Sequence, residues 1–235
     1  MKNTVLFDLG GTLVHYFEMA EFPDILEQSI TSVQSYLRGR GLLHVSLETM
    51  WQKVREENYE AEDYCVRPME ERLFRIFHLN DTDKSDSLGT AMCQRFMKPV
   101  FDRAHCYEDA LPTIQALRSE GFKTAIISNT TWGSPASLWR QELVRHGLDK
   151  QVDTIVFCRD VGWRKPAKQI FEFTLERLHV LPADCIFVGD DPRWDLVGPE
   201  TIGIKAILLE RRGPVHSAGE HSIQTLYQLR DRLLL

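Results

Sequence analysis

Asp8, Ser128, Lys165 and Asp190 are the residues of this chain whose types and settings suit them to chemistry. Asp8 ends the apolar run Val5-Leu6-Phe7 and is followed by Gly10, Gly11 and Thr12. That order reads as a buried strand delivering a carboxylate into a tight, phosphate-sized loop. A carboxylate so placed can attack phosphorus and split a hydrolysis into two easier steps. Taken alone it can equally cap a turn at a strand end. The two glycines let backbone N–H groups approach an anion closely, and Thr12 can cap the turn or touch an anionic oxygen.

Three later segments add complementary chemistry. Ser128 follows Ile126-Ile127, with Asn129 beside it. Its hydroxyl can hydrogen-bond an oxyanion, or the pair can merely turn the chain. Lys165 precedes Pro166, which favours extended backbone before it and can start a helix after it. An ammonium there can offset repulsion between a carboxylate and an anionic substrate, where an isolated lysine would be a solvated surface charge. Asp190 and Asp191 follow Ile186-Phe187-Val188-Gly189, with Asp195 close behind. A cluster of oxygen donors without Cys or His suits Mg²⁺, the alternative being a solvated acidic turn around Pro192.

The elements that must position these residues fall into two kinds. Leu26, Ile30, Val33 and Leu37 mark one apolar helix face ending near Gly39 and Gly41. Ser46 is placed to cap a second helix, and Pro68 with Glu70-Glu71 opens a third. A fourth is expected from about Leu88 to Met97, stopped before Pro99. From Tyr107 onward short apolar runs alternate with helical patterns: strands are expected over 123–127, 154–158, 185–188 and 205–209, and helices over about 110–119, 137–146 and 167–179. Such alternation predicts an α/β, Rossmann-like parallel sheet covered on both faces, with ligands at the carboxyl ends of its strands. Asp8, Ser128 and Asp190 all fall at that end. The segment Arg211 to Glu220 reads as an exposed loop before a terminal helix containing Leu226 and Leu229.

Composition narrows the partners. At 235 residues the chain suits one domain or a core with an insertion, and its 43% hydrophobic and 26% charged residues are ordinary for a soluble globular protein. A net charge of −6 leaves no basic footprint for nucleic acid. No apolar run approaches membrane-spanning length, and the N-terminus reaches Asp8 too soon for a signal peptide. Five scattered cysteines without C-x-x-C spacing fit free thiols in a reducing cytoplasm. Nothing in the pattern specifies an oligomer.

In this order, the four groups resemble the four motifs of the haloacid dehalogenase superfamily, most of whose members are Mg²⁺-dependent phosphatases. The run Gly162-Trp163-Arg164-Lys165-Pro166, followed by Ile170-Phe171, is especially close to the third motif. The resemblance covers Asp8 to about Leu209. It implies a core made of residues 1–15 and 101–235 and an inserted all-helical cap over 16–100. It implies a small phosphorylated substrate and an aspartyl-phosphate intermediate on Asp8. Thr12, Ser128, Asn129 and Lys165 would hold the phosphate. Asp8, the backbone carbonyl of Gly10, Asp190 and Asp195 would serve Mg²⁺, Asp195 through water or by orienting Lys165. Gly10 is the departure: the superfamily's phosphatases usually carry a second aspartate there as general acid/base. The dehalogenases of the superfamily also lack it, but they do not use Mg²⁺, which Asp190-Asp191 argues against. A catalytically weak member that binds a phosphorylated ligand or a protein partner is the remaining reading. Trp132, Trp163 and Trp194 each neighbour a motif and suit either a pocket wall or the core.

Overall fold

The computed structural model describes residues 3–59, 61–211 and 221–234. Strand β1 (Thr4–Phe7) runs into the Asp8 loop and then into β2 (Val14–His15). Helices α1 (Phe22–Gly39), α2 (Leu47–Glu57), α3 (Met69–Ile76) and α4 (Asp86–Phe101) follow before β3 (His105–Cys106). The alternating part comprises α5 (Ala110–Ser119), β4 (Lys123–Ser128), α6 (Ala136–Arg145), β5 (Thr154–Phe157), α7 (Cys158–Val161), α8 (Lys168–Leu178) and β6 (Cys185–Gly189). It continues through α9 (Pro192–Asp195), α10 (Val197–Thr201), β7 (Lys205–Leu209), β8 (Ser222–Ile223) and α11 (Leu226–Leu234).

The sheet is parallel throughout, in the order β5-β4-β1-β6-β7-β8. Phe7 is in register with Ile126 on one side and Val188 on the other, so Asp8, Ser128 and Asp190 emerge from one edge. From β1 the chain steps outward through β4 to β5, then crosses back to β6 on the other side of β1 and steps outward through β7 to β8. Connections therefore diverge at β1, and the crevice beyond its carboxyl end is where open α/β sheets bind ligands. Every residue of β1 is buried, as a central strand covered on both faces requires. Val5 and Phe7 pack into one apolar cluster with Ile114, Leu117, Leu226 and Leu229; Leu6 packs into the other with Ile170, Phe171 and Leu175.

Between β2 and β3 the described residues are helical, apart from connecting loops. The two short strands pair antiparallel, Val14 with Cys106 and His15 with His105, so the chain leaves the sheet and returns to it side by side. Ser46 caps α2 by accepting from the Thr49 N–H at 3.2 Å. The fourth helix is longer than its sequence suggests. Ser85 accepts from the Leu88 N–H and starts it at Asp86, and it runs through Pro99 to Phe101. Phe96, Met97 and Val100 are buried on one face across the proline. Burying such side chains is worth roughly 1.5–3 kcal/mol each, more than the single hydrogen bond that proline forfeits in a last turn. The helices share one apolar cluster with the sheet, joined where Tyr16 and Phe101 pack edge-on to Trp139.

Two smaller differences concern the ends of elements. Cys158 opens α7 instead of ending β5, and α8 begins at Lys168. The expectation of an exposed loop from Arg211 fails at its first residue, whose side chain is hydrogen-bonded into the Asp8 loop; residues 212–220 lie outside the described residues.

Candidate active site

Lys165 is the centre of the site. Its Nζ donates to Asp8 Oδ1 and to Asp195 Oδ1, both at 2.6 Å, and its side chain is 2% exposed. Such a buried ammonium is sustained only by paired charge. Burial alone would lower its pKa, but Asp195 and Asp8 outweigh it and hold the lysine charged far into the alkaline range. Asn129 keeps this lysine in place: its Oδ1 accepts the Lys165 N–H at 2.8 Å and its Nδ2 donates to the Lys165 carbonyl at 3.2 Å. The Asn129 side chain thus spends two of its bonds positioning Lys165 and not an anion. The Ser128 hydroxyl donates to the Asn129 carbonyl at 3.1 Å and lies on the wall of the site.

The acids gather around Asp8. One oxygen from each of Asp8, Asp190 and Asp195 lies within 4.8 Å of the others. The glycines make this crowding possible. A Cβ on Gly11, whose φ is +78°, would sit 2.0 Å from Asp190 Oδ2, and one on Gly189 would sit 2.2 Å from Asp195 Oδ2. Asp190 stands at the exposed rim with its carboxylate turned inward over Gly11. Loss of water around that carboxyl, then the charges of Asp8 and Asp195, push it up to about 8. Asp195 is raised to about 6 by burial, with Lys165 opposing and Asp8 reinforcing. Asp191 also lines the cavity, but its carboxylate caps α9 at the Arg193 N–H and pairs with the Arg193 guanidinium at 2.6 Å.

Three carboxylates therefore share one ammonium. The donor set is all oxygen, compact and negative in excess, which is the chemistry of a Mg²⁺ site. Asp8, Asp190 and the Gly10 carbonyl are the groups that would hold the ion, with Asp195 engaged by Lys165. Without metal, the raised carboxyl of Asp190 has a measurable consequence. From about pH 4 to 8 the folded chain binds more protons than the unfolded one, so stability falls as pH rises through that window. Thermal melts of chelated protein should show Tm declining across this range, and added Mg²⁺ should restore more at its alkaline end. A chelated Tm that stays level between those limits would show that no proton is retained there.

The site opens into a cavity of about 590 Å³. Its wall joins Asp8, Gly10, Ser128, Lys165 and Asp190 to residues contributed by the helical segment, among them Phe17, Phe22, Asn58 and Arg72. Trp132 and Trp194 line it and Trp163 does not. Thr12 is buried away from the wall with its hydroxyl unpartnered, while its carbonyl accepts from Arg211. His15 lines the cavity with its Nδ1 3.7 Å from Glu18 Oε1, and the Glu18 backbone N–H donates to Glu21 Oε2.

A family model of haloacid dehalogenase-like hydrolases matches residues 2–203 of this sequence. The chain belongs to the haloacid dehalogenase-like hydrolases. Within this family it is 25% identical, over 98% of its length and 99% of the relative's, to a ribulose-1,5-bisphosphate 5-phosphatase of Halopiger xanaduensis. It is 28% identical, over 88% of its length and 83% of the relative's, to an (S)-2-haloacid dehalogenase 4A of Burkholderia cepacia. The solved HAD phosphatase of Thermococcus onnurineus superposes with a TM-score of 0.67 at 26% identity, covering 98% of this chain and 97% of that one. As a member of this hydrolase family, the protein is an enzyme with an α/β, Rossmann-like core. Among the described residues, no helix is long and apolar enough to cross a membrane.

The sequence did not mark Tyr16, Arg211 or Asp109 as site residues. Tyr16 covers the open face of Gly10, and Arg211 with Asp109 clamps the back of the loop. The first of two consecutive arginines after a strand carries no signal of what it will meet.

Proposed function

We propose that this hydrolase is a Mg²⁺-dependent phosphatase of small phosphorylated metabolites, acting through an aspartyl-phosphate on Asp8. The observation that carries this reading is the excess of carboxylate over cation at one point: Asp8, Asp190 and Asp195 around the single Lys165. A dehalogenating site needs the nucleophile and the lysine but has no use for a third acid at the rim.

Asp8 attacks phosphorus as the ester bond breaks, the leaving oxygen taking its proton from water; water then attacks the aspartyl-phosphate, which releases phosphate and restores Asp8. Lys165 holds positive charge against Asp8 and lowers the repulsion between the carboxylate and the arriving phosphate. The Ser128 hydroxyl rotates from the Asn129 carbonyl to a phosphoryl oxygen. Bound Mg²⁺ would neutralise phosphoryl charge and draw the phosphate onto Asp8. Residues 16–100 act as a lid that excludes water and selects the substrate. A cavity of about 590 Å³ suits a metabolite, not a polymer. A cytoplasmic location accords with the scattered, unbridged cysteines.

Phosphate release from a panel of sugar, nucleotide and acyl phosphates, with Mg²⁺ and in EDTA, tests the proposal. Equal turnover in EDTA overturns it. Metal-independent chloride release from 2-chloropropionate would establish the dehalogenase instead.

Trp132 tests the lid. It holds φ +54°, uncommon for a bulky residue, and there stacks on Phe96 at 5.0 Å and donates from Nε1 to Asn58 Oδ1 at 3.2 Å. Trp132→Ala removes these two links and the ring over which the Arg72 guanidinium lies at 5.6 Å, worth roughly 1–3 kcal/mol together. Steady-state kinetics should show KM rising about 10-fold with kcat little changed. A fall in kcat alone would place Trp132 in the chemistry instead.

A further inference from the structure

We infer that Arg211 is a positioning residue for the reaction: from the segment after the carboxyl end of β7 it sets the backbone of the nucleophile loop. Its Nη2 donates to the Thr12 carbonyl at 2.6 Å and its Nε to the Gly11 carbonyl at 3.2 Å. The same guanidinium is fixed from behind. Nη1 and Nη2 pair with the two oxygens of Asp109 at 3.0 and 2.8 Å, and the guanidinium carbon lies 3.7 Å from the centre of the Tyr107 ring.

The anchor is itself buried. Asp109 is 2% exposed and accepts the Leu226 N–H at 2.8 Å, which ties the clamp to the first residue of α11. Tyr107 is bonded from its N–H to the Leu13 carbonyl, so the ring beneath Arg211 is attached to the loop it supports. Arg211 thus connects the segment after β7, the start of α5 and the start of α11 to two consecutive peptide groups of the Asp8 loop.

Two consecutive carbonyls drawn to one side have a chemical consequence. In a trans peptide the N–H points opposite to the C=O, so the bond at the Gly11 carbonyl fixes the direction of the Thr12 N–H. A guanidinium on the carbonyl also polarises that peptide and strengthens its N–H as a donor. The glycine needs such help. Gly11 has the widest backbone freedom of any residue type and sits at φ +78° with the Asp190 carboxylate against it. A loop that drifts there moves Asp8, the Gly10 carbonyl and Asp190 relative to one another. Lysine cannot replace the fork: a single ammonium lacks the planar set of donors that reaches a carboxylate and two carbonyls together.

The inference rests on the phosphatase reading for its kinetic test only. In Arg211→Lys, which keeps a charge for Asp109, kcat should fall roughly 10- to 100-fold with KM within about twofold. Guanidinium added to Arg211→Ala should restore part of that kcat, which a general loss of stability would not allow. If burying Asp109 unpaired prevents Arg211→Ala from folding, Arg211→Met combined with Asp109→Asn removes both charges and should show the same loss. Independently of any activity, amide hydrogen exchange over residues 9–13 should quicken in Arg211→Lys while β1 stays protected. Unchanged exchange in that loop overturns the inference, whether or not the enzyme turns out to be a phosphatase. A wild type that releases no phosphate, with faster loop exchange in Arg211→Lys, would overturn the phosphatase reading and keep the clamp.

Discussion

Asp8→Asn should lower kcat for phosphate ester hydrolysis by roughly 10⁴- to 10⁶-fold, the scale on which loss of a covalent nucleophile is felt. An amide cannot form the acyl phosphate, and the substitution is otherwise mild. The Asn side chain can turn its oxygen toward Lys165 Nζ, which now donates at 2.6 Å to Asp8, so the buried ammonium keeps an acceptor there and Asp195 as its ion partner. Substrate affinity and Tm should therefore stay close to wild type, and the loss should appear in kcat. Asp190→Asn should also cut turnover by orders of magnitude, but for another reason: it removes a charge from the metal set and weakens Mg²⁺ binding. The two variants separate by titration, since excess Mg²⁺ recovers part of the activity of Asp190→Asn and none of that of Asp8→Asn. Phosphate turnover surviving in Asp8→Asn would end the aspartyl-phosphate mechanism.

Gly10→Asp should give the second large effect, by supplying an acid the loop lacks. General acids contribute about 10² to 10⁴ in rate, chiefly when the leaving oxygen departs poorly as an anion. Wild-type log kcat/KM should therefore fall steeply as leaving-group pKa rises, favouring aryl, acyl and anomeric sugar phosphates over alkyl phosphates. Gly10→Asp should flatten that line. The geometry accommodates the change. Gly10 does not hold a positive φ, and an added Cβ would meet only the Tyr16 ring, at 3.5 and 3.7 Å. These are ordinary contacts, unlike the 2.0 Å that forbids a side chain at Gly11.

Tyr16 also shapes the acid that would result. Its phenol is buried and unpartnered, and burial with the charges of Glu142 and Asp8 holds it protonated. A carboxyl set against that neutral ring, near Asp8, would be pushed upward and kept available as a proton donor near neutral pH. His15→Asn supplies the control, because His15 lines the same cavity and carries a group able to donate a proton. A wild-type line already flat, and steepened by His15→Asn, would show that the histidine supplies the proton.

The sequence by itself determined the order and type of the longer core strands and helices, and it marked the acids and the lysine that the fold gathers. The β1 run had one outcome because the three apolar residues Val5-Leu6-Phe7, ending at a carboxylate with Gly10 and Gly11 close behind, fit a central parallel strand. Likewise Ser46 capped its helix as its type requires, a bond made within one turn of chain. Asp8, Lys165, Asp190 and Asp195 were legible because each stands beside a local signal: a strand end, a proline, a glycine. Contacts between distant segments were not legible. The helix past Pro99 formed because packing of Phe96, Met97 and Val100 outweighed a local stop. Asn129 came to brace the backbone of Lys165, 36 positions away. Arg211 reached back about 200 positions to Gly11 and Thr12. Tyr16 came to cover the place a second aspartate would occupy. Hydrogen-bond geometry and close packing act only once the chain has brought such groups together, so local pattern carries the identity of the reacting atoms and tertiary structure alone decides what holds them.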